Sequence, residues 1–182
     1  MIRYKYNDKE IDAILKHLTI IMDTREKSAL HILEYFKQKN IAMKVQKLDT
    51  GDYSFMIPSN DETIKYGITR DLYFNSFVER KNSLDEICGN LQKDTQQAFI
   101  NELIRSQDSK FVLFVEDPNF DENLAKGNYR SKYDPKALKG RLESFKAKYN
   151  FEIVPMSKNI IAHNLYHRFL YQARHYLKNG VF

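Results

Sequence analysis

A chain of 182 residues is long enough to bury one sizeable core and short for two. Its 29 Lys and Arg against 24 Asp and Glu leave a net charge of +5, a modest basic excess that suits a polyanionic partner. A single cysteine, Cys88, excludes an intrachain disulfide and a cysteine-built zinc site. The charges mixed through Met1 to Lys16 are unlike a signal peptide, and no run approaches the roughly 18 apolar residues of a membrane span, so a soluble, cytoplasmic protein without membrane contact is expected.

Asn7 with Glu10 is a capping-box pattern, and Ile11, Ile14, Leu15 and Leu18 follow at helical spacing. Thr19 to Met22 is a brief apolar strand ending at Asp23. Glu26 to Lys39 predicts a helix with Ala29, Leu30, Leu33 and Phe36 on one face, and Ile41, Met43 and Val45 alternate as in a strand with one buried face. Asp49-Thr50-Gly51-Asp52 is a turn into a strand over Tyr53 to Ile57. A polar hairpin from Pro58 to Asp71 then returns through Leu72 to Lys81. Ser83 with Glu86 makes a second capping box, opening one long helix through Leu91, Phe99, Leu103 and Ile104.

Phe111 to Val115 has no alternation, the mark of a strand buried on both faces. A loop rich in Asn, Gly, Tyr and base precedes Asp134-Pro135, which caps and starts a helix to about Tyr149. Phe151 to Pro155 is a last strand, and Ser157 to Lys178 a last helix whose Leu165, Phe169, Leu170 and Ala173 pack against the sheet or a partner subunit. With no repeat and no linker, residues 1–182 read as a single α/β domain, a central mixed β-sheet flanked by helices.

Three strand ends present acids: Asp23, Asp52 and Glu79. Where such strands neighbour one another, the carboxylates meet and suit a hard divalent cation, which takes one or two carboxylates and completes its shell with water and phosphate. Lys81 lies two residues beyond Glu79 and shares its face of the strand. Acids that hold a metal, beside an ammonium that stabilises charge on phosphate, form the pattern of phosphodiester hydrolysis. Taken alone, Glu79-Arg80-Lys81 also fits a solvated strand end; Asp23, Glu26 and Asp52, in order, tip the balance toward a metal site.

With Gly51-Asp52, then Glu79-Arg80-Lys81-Asn82-Ser83-Leu84-Asp85, preceded by Asp23-Thr24-Arg25-Glu26 and followed by the strand Phe111 to Glu116, the sequence resembles the XPF/Hef-type structure-selective endonucleases. The resemblance is strong from about Thr19 to Asp117. It implies a restriction-endonuclease-like core that hydrolyses DNA near branch points with Mg²⁺ or Mn²⁺. It implies Asp52 and Glu79 as metal ligands, with the main-chain carbonyl of Arg80, and Asp23 and Glu26 as completing the acidic cluster. Lys81 would orient water or bear transition-state charge, and Arg80 and Asp85 would brace the site or contact phosphate. DNA, branched or partly single-stranded, is the implied partner, and a homodimer the oligomeric state to test.

The sequence departs from the family in two ways. The route from Asp52 to Glu79 is longer than usual by the polar hairpin, which either touches DNA or a second subunit or is a solvated insertion. The tandem helix-hairpin-helix motifs of larger relatives have no room before Phe182, so a nuclease domain without them is expected. Tyr129-Arg130-Ser131-Lys132-Tyr133, after Lys126, reads either as a DNA contact of bases and aromatics or as an ordinary basic loop. Arg25, Lys126, Arg130 and Lys132 are the candidate DNA-binding cations. His163 and His167, at i and i+4, have metal-ligand spacing, although no acid or third ligand stands near them in sequence. The reading is an active endonuclease of repair, recombination or replication; the alternative is a non-cleaving DNA-binding or partner module with the same fold.

Overall fold

A computed structural model of the chain describes residues 5–27 and 29–180. The N-terminal charge at Arg3, Ser28 inside the helix expected from Glu26, and the chain end at Phe182 lie outside the described residues. In chain order the elements are α1 (Asp8–Leu15), β1 (Thr19–Met22), α2 (Leu30–Gln38), β2 (Ala42–Val45), β3 (Tyr53–Ile57), β4 (Leu72–Tyr73), β5 (Ser76–Lys81), α3 (Leu84–Asn90), α4 (Gln96–Arg105), β6 (Lys110–Val115), α5 (Phe120–Lys126), α6 (Pro135–Tyr149), β7 (Glu152–Pro155) and α7 (Ile161–Asn179). The strands make a mixed β-sheet with flanking helices, as the order of elements predicts. Two compact units divide the chain: one takes the described residues up to Leu48, Tyr53–Ser76 and those from Ala162 on, the other Asp49–Asp52 and Phe77–Ile161. Among the described residues no helix is long and apolar enough to cross a membrane.

In the first unit, β1 lies between β2, parallel to it with Ile20 opposite Met43, and β3, antiparallel with Ile20 opposite Phe55. All five residues of β3 are buried, and Phe55 stacks on Phe74 at 4.5 Å and on Phe169 of α7 at 4.7 Å. Leu165, Phe169, Ala173 and Leu177 form the fully buried stripe of α7. The capping box at α1 forms: Asn7 Oδ1 accepts from Glu10 N–H, and Glu10 Oε2 accepts from Asn7 N–H.

Two expectations fail here. Helix α2 begins at Leu30 rather than Glu26 and buries Ile32 and Phe36, while Leu30 is 70% exposed. Its apolar residues cover more than half the helix circumference, so periodicity alone admits either stripe. Strand β2 lies at the edge of the sheet, has no fully buried residue, and leaves Val45 57% exposed.

The polar stretch after β3 folds on its own side chains. Asn60 Oδ1 accepts from Glu62 N–H and Thr63 N–H, Thr63 Oγ1 donates to the Pro58 carbonyl at 2.7 Å, and Asp71 Oδ1 accepts from Ser59 N–H. A single 3₁₀ turn, Ile64–Tyr66, ends at Gly67, and the Tyr66 carbonyl accepts from the Tyr6 hydroxyl. The return is split: β4 pairs with the end of β3, and β5 starts afresh at Ser76.

In the second unit, β6 is buried from Phe111 to Val115, as its unbroken apolar run predicts, and β7 runs parallel to it with Val112 opposite Glu152. The one long helix expected after Ser83 is two. Ser83 caps α3 by accepting from Glu86 N–H, but Glu86 turns back to Asn82 rather than to Ser83, and Thr95 Oγ1 donates to the Gly89 carbonyl where the chain breaks. Ile104, placed on the apolar face in sequence, is 49% exposed. Helix α5 was expected as loop; only Phe120 and Leu124 of it are buried, too few for a periodic signal. Asp134 caps α6 as predicted, accepting from Ala137 N–H. The core of this unit gathers Ile87, Phe99, Leu103, Leu113, Leu138 and Leu142.

Candidate active site

Strand β5 ends in three buried charged residues, Glu79, Arg80 and Lys81. A two-residue period sends Glu79 and Lys81 to one face and Arg80 to the other. On the first face Lys81 Nζ donates to Glu79 Oε1 at 2.6 Å. On the second, Arg80 Nη1 donates to Glu116 Oε1 at 3.0 Å and to Asn82, both charges being almost wholly buried. Arg80 thus ties the end of β5 to the acid that follows β6.

The Gly51-Asp52 turn is fastened to the same strand. Asp52 N–H donates to the Val78 carbonyl at 2.9 Å, and Asp52 Oδ2 accepts from Arg80 N–H at 2.8 Å. Gly51 makes this approach possible. Its φ is +70°, and a Cβ there would stand 3.0 Å from Phe77 Cβ and 3.2 Å from the Val78 oxygen.

The site is acid-rich. Burial pushes the Glu79 carboxyl well above its ordinary range, the charges of Asp52 and Glu102 push the same way, and Lys81 opposes them. For Lys81, burial favours the neutral amine but is outweighed by Glu79, with Glu86 and Glu102 adding, so the ammonium holds its proton more firmly than usual. Lys81 Nζ also sits 3.6 Å from Glu86 and 5.9 Å from the Phe99 ring centroid. Acids in excess of one ammonium, with oxygen donors on Asp52 and Glu79, fit a hard divalent cation. Among the described residues no group of three or more His, Cys, Asp or Glu side chains could hold a metal ion, so a cation on Asp52 and Glu79 would draw its remaining ligands from main-chain carbonyl, water or phosphate oxygens.

These features are those of a known family. A family model for the ERCC4 domain matches residues 22–164. The chain belongs to the ERCC4-domain family. Among solved structures it is similar to XPF from Aeropyrum pernix, with a TM-score of 0.58 and 16% identity over 87% of this chain and 66% of that one. It is also similar to XPF from Aeropyrum pernix in complex with DNA, with a TM-score of 0.53 and 15% identity over 82% of this chain and 64% of that one. The ERCC4-family chain therefore spans slightly under two thirds of the length of these structures, and the likeness establishes the restriction-endonuclease-like nuclease fold. No curated protein matches it. The membership agrees with the resemblance seen in sequence.

Within the second unit of this ERCC4-family chain, Asp52, Glu79, Arg80 and Lys81 come together. Asp85 is engaged at the start of α3, where Oδ1 accepts from Arg130 N–H at 2.7 Å and Oδ2 from Arg130 Nε at 2.9 Å. These bonds, the backbone one first, hold its carboxyl below the usual range. In the first unit, Asp23 is buried at the end of β1. Oδ1 accepts from Arg25 N–H and Nε, and Oδ2 from Leu48 N–H and Arg25 Nη2. Burial raises the Asp23 carboxyl, but the Arg25 and Leu48 bonds outweigh it and set it below the ordinary value. Arg25 reaches on to the Leu48 carbonyl, and Glu26 N–H donates to the Asp23 carbonyl.

Of the candidate DNA-binding cations, Lys126 pairs with Glu122 at 2.6 Å, Arg130 is 89% exposed and Lys132 is exposed. Tyr129 and Tyr133 pack against the core, with the Tyr129 hydroxyl donating to the Tyr133 carbonyl, so the aromatics of that loop are structural and its cations face water. The His163 and His167 rings lie 4.2 Å apart, and His163 Nδ1 is hydrogen-bonded to the Tyr35 hydroxyl. Burial, then His163, favours neutral His167. Burial pushes the Cys88 thiol up to about 11, which suits a core residue. Sequence reasoning missed Glu102, whose charge acts on both Glu79 and Lys81. Its only sequence signal is a lone acid beside the buried Phe99 and Leu103 of α4.

Proposed function

We propose that this chain is a divalent-metal-dependent DNA endonuclease, acting as a single intracellular nuclease domain over residues 1–182 on branched, flap or fork DNA. The observation that carries the reading is the buried Glu79–Lys81 pair on one face of β5, with Asp52 fastened to the same strand. Asp52 and Glu79 would hold Mg²⁺ or Mn²⁺, which when bound supplies an activated water and neutralises charge on the scissile phosphate.

The remaining roles belong to the chain itself. Lys81, kept protonated by Glu79, donates to the phosphate oxygen on which negative charge grows, or orients the water. Arg80 and Glu116 keep the end of β5 from shifting. Water adds to phosphorus and loses one proton, the P–O3′ bond breaks, and O3′ gains a proton, leaving 5′-phosphate and 3′-hydroxyl ends. Arg130 and Lys132, with Lys126, contact the phosphate backbone. Asp85 holds Arg130 at the start of α3.

The test is cleavage of labelled fork, flap, Holliday-junction and linear duplex DNA with Mn²⁺, beside an Asp52→Asn variant. Cleavage by the wild type that falls at least about 100-fold in the variant supports the reading. Binding without cleavage, or equal cleavage by both proteins, contradicts it. A mass measurement in solution decides between the monomer and the homodimer that this reading also allows.

A further inference from the structure

We infer that Glu102 is a positioning residue of this site, the one that holds the Asp52 turn in place from α4. The inference rests on the endonuclease reading and adds a residue that the acidic motifs do not contain.

Three successive residues of the turn are gripped by the last two turns of α4. The Glu102 carboxylate accepts from Gly51 N–H through Oε1 at 3.2 Å. The Glu102 carbonyl accepts from Thr50 Oγ1 at 3.4 Å, and Arg105 Nε, three residues on, donates to the Asp49 carbonyl at 2.9 Å. Residues three apart share a helix face, so one face of α4 reaches Asp49, Thr50 and Gly51 together. Phe99, three residues earlier on that face, lies under the Lys81 ammonium.

This grip meets a need that β5 alone leaves open. The bonds from Asp52 N–H to Val78 and from Arg80 N–H to Asp52 Oδ2 fasten the far end of the turn. Gly51 has a positive φ, so the turn does not hold itself in the conformation of an ordinary residue. A charge-assisted bond from Glu102 to the Gly51 N–H is a stronger anchor than a neutral one. Holding the Thr50–Gly51 peptide plane limits the path by which the turn brings Asp52 to β5. Glu102 therefore acts through Asp52, as outer residues act on those that orient a metal or reacting atom.

The test compares wild type with Glu102→Ala, Glu102→Gln and Arg105→Ala by Mn²⁺ titration, read from the paramagnetic resonance of free Mn²⁺, and by steady-state cleavage of a flap substrate. Glu102→Ala should weaken Mn²⁺ binding and lower kcat about 10- to 100-fold with KM for DNA unchanged. Glu102→Gln keeps an oxygen acceptor for Gly51 N–H, though a neutral one, and should recover part of both. Arg105→Ala removes an exposed side chain, leaves the core intact, and should lower kcat by a smaller factor; it keeps the test decidable if Glu102→Ala does not fold. Wild-type Mn²⁺ affinity and kcat in Glu102→Ala, or no recovery in Glu102→Gln, overturns the inference. If Asp52→Asn abolishes cleavage while Glu102→Ala and Arg105→Ala match the wild type, this inference alone fails. If the wild type neither binds Mn²⁺ nor cleaves, the endonuclease reading fails and takes the inference with it.

Discussion

Replacing Gly51 by alanine perturbs the turn that delivers Asp52 while adding only one methyl group. At φ +70° an L-residue carries a strain of about 1 to 2 kcal/mol. The new Cβ would also meet Phe77 Cβ at 3.0 Å and the Val78 oxygen at 3.2 Å, contacts that must open by a few tenths of an ångström. Overpacking of this kind costs about 1 to 3 kcal/mol. Because Val78 also accepts the Asp52 N–H, its retreat weakens that bond, and a total of about 2 to 5 kcal/mol is expected. For a chain of this size each kcal/mol is worth roughly 2 to 4 °C, so the melting temperature should fall by roughly 4 to 20 °C. The assay is thermal unfolding of Gly51→Ala beside Gly140→Ala, a helical glycine with nothing within 4 Å of a built Cβ, which should gain about 0.5 to 1 kcal/mol. Below its melting range, folded Gly51→Ala should also lose cleavage on the order of 10- to 100-fold, since small misplacements of a reacting group are costly. A Gly51→Ala protein that melts within a degree of wild type refutes the close approach of this turn to β5.

Other outcomes follow from the same geometry. Asp23→Ala strands the buried Leu48 N–H and should cost about 1 to 3 kcal/mol in urea unfolding at pH 7. Because the folded carboxyl lies below its unfolded value of about 3.9, the ionic part of that contribution is complete above about pH 4 and fades as pH falls through the folded value, so the gap between wild type and variant should narrow; a gap unchanged at lower pH is the wrong result. Glu116→Ala leaves Arg80 buried beside a missing partner and should cost about 3 to 5 kcal/mol, read from the denaturant midpoint, and a loss under about 1 kcal/mol contradicts the brace. In α2, Ile32→Ala should cost about 2 to 5 kcal/mol and Leu30→Ser almost nothing; the reverse order would restore the stripe expected from sequence. Arg130→Ala should change stability by less than about 1 kcal/mol, weaken DNA binding, and reduce its salt slope by about 1.

What could be read in the sequence was what local chemistry decides. The capping box at Asn7, the Asp134 cap and the unbroken apolar strand at Phe111 each depend on residues adjacent in the chain, and each appears as expected. The stripe of α2 and the exposure of Val45 depend on where core exists, which periodicity does not state. The break between α3 and α4 rests on Thr95 reaching back to Gly89, and α5 on two apolar anchors, both weak signals. The site shows the same division. Glu79 and Lys81 share a face because strands have period two, so their pairing was legible. Glu102 was not, because its partner is the backbone N–H of Gly51, and every residue type but proline offers one.

The central claim is that Asp52, Glu79 and Lys81 form one metal-dependent hydrolytic centre. It is tested most directly by the single-turnover cleavage rate of a labelled flap substrate as Mn²⁺ is titrated, for wild type and Glu79→Gln. The account predicts a saturable rise with Mn²⁺ in the wild type, no cleavage in chelator, and a maximal rate at least about 100-fold lower in Glu79→Gln. Cleavage that persists in chelator, or equal maximal rates for the two proteins, would contradict it.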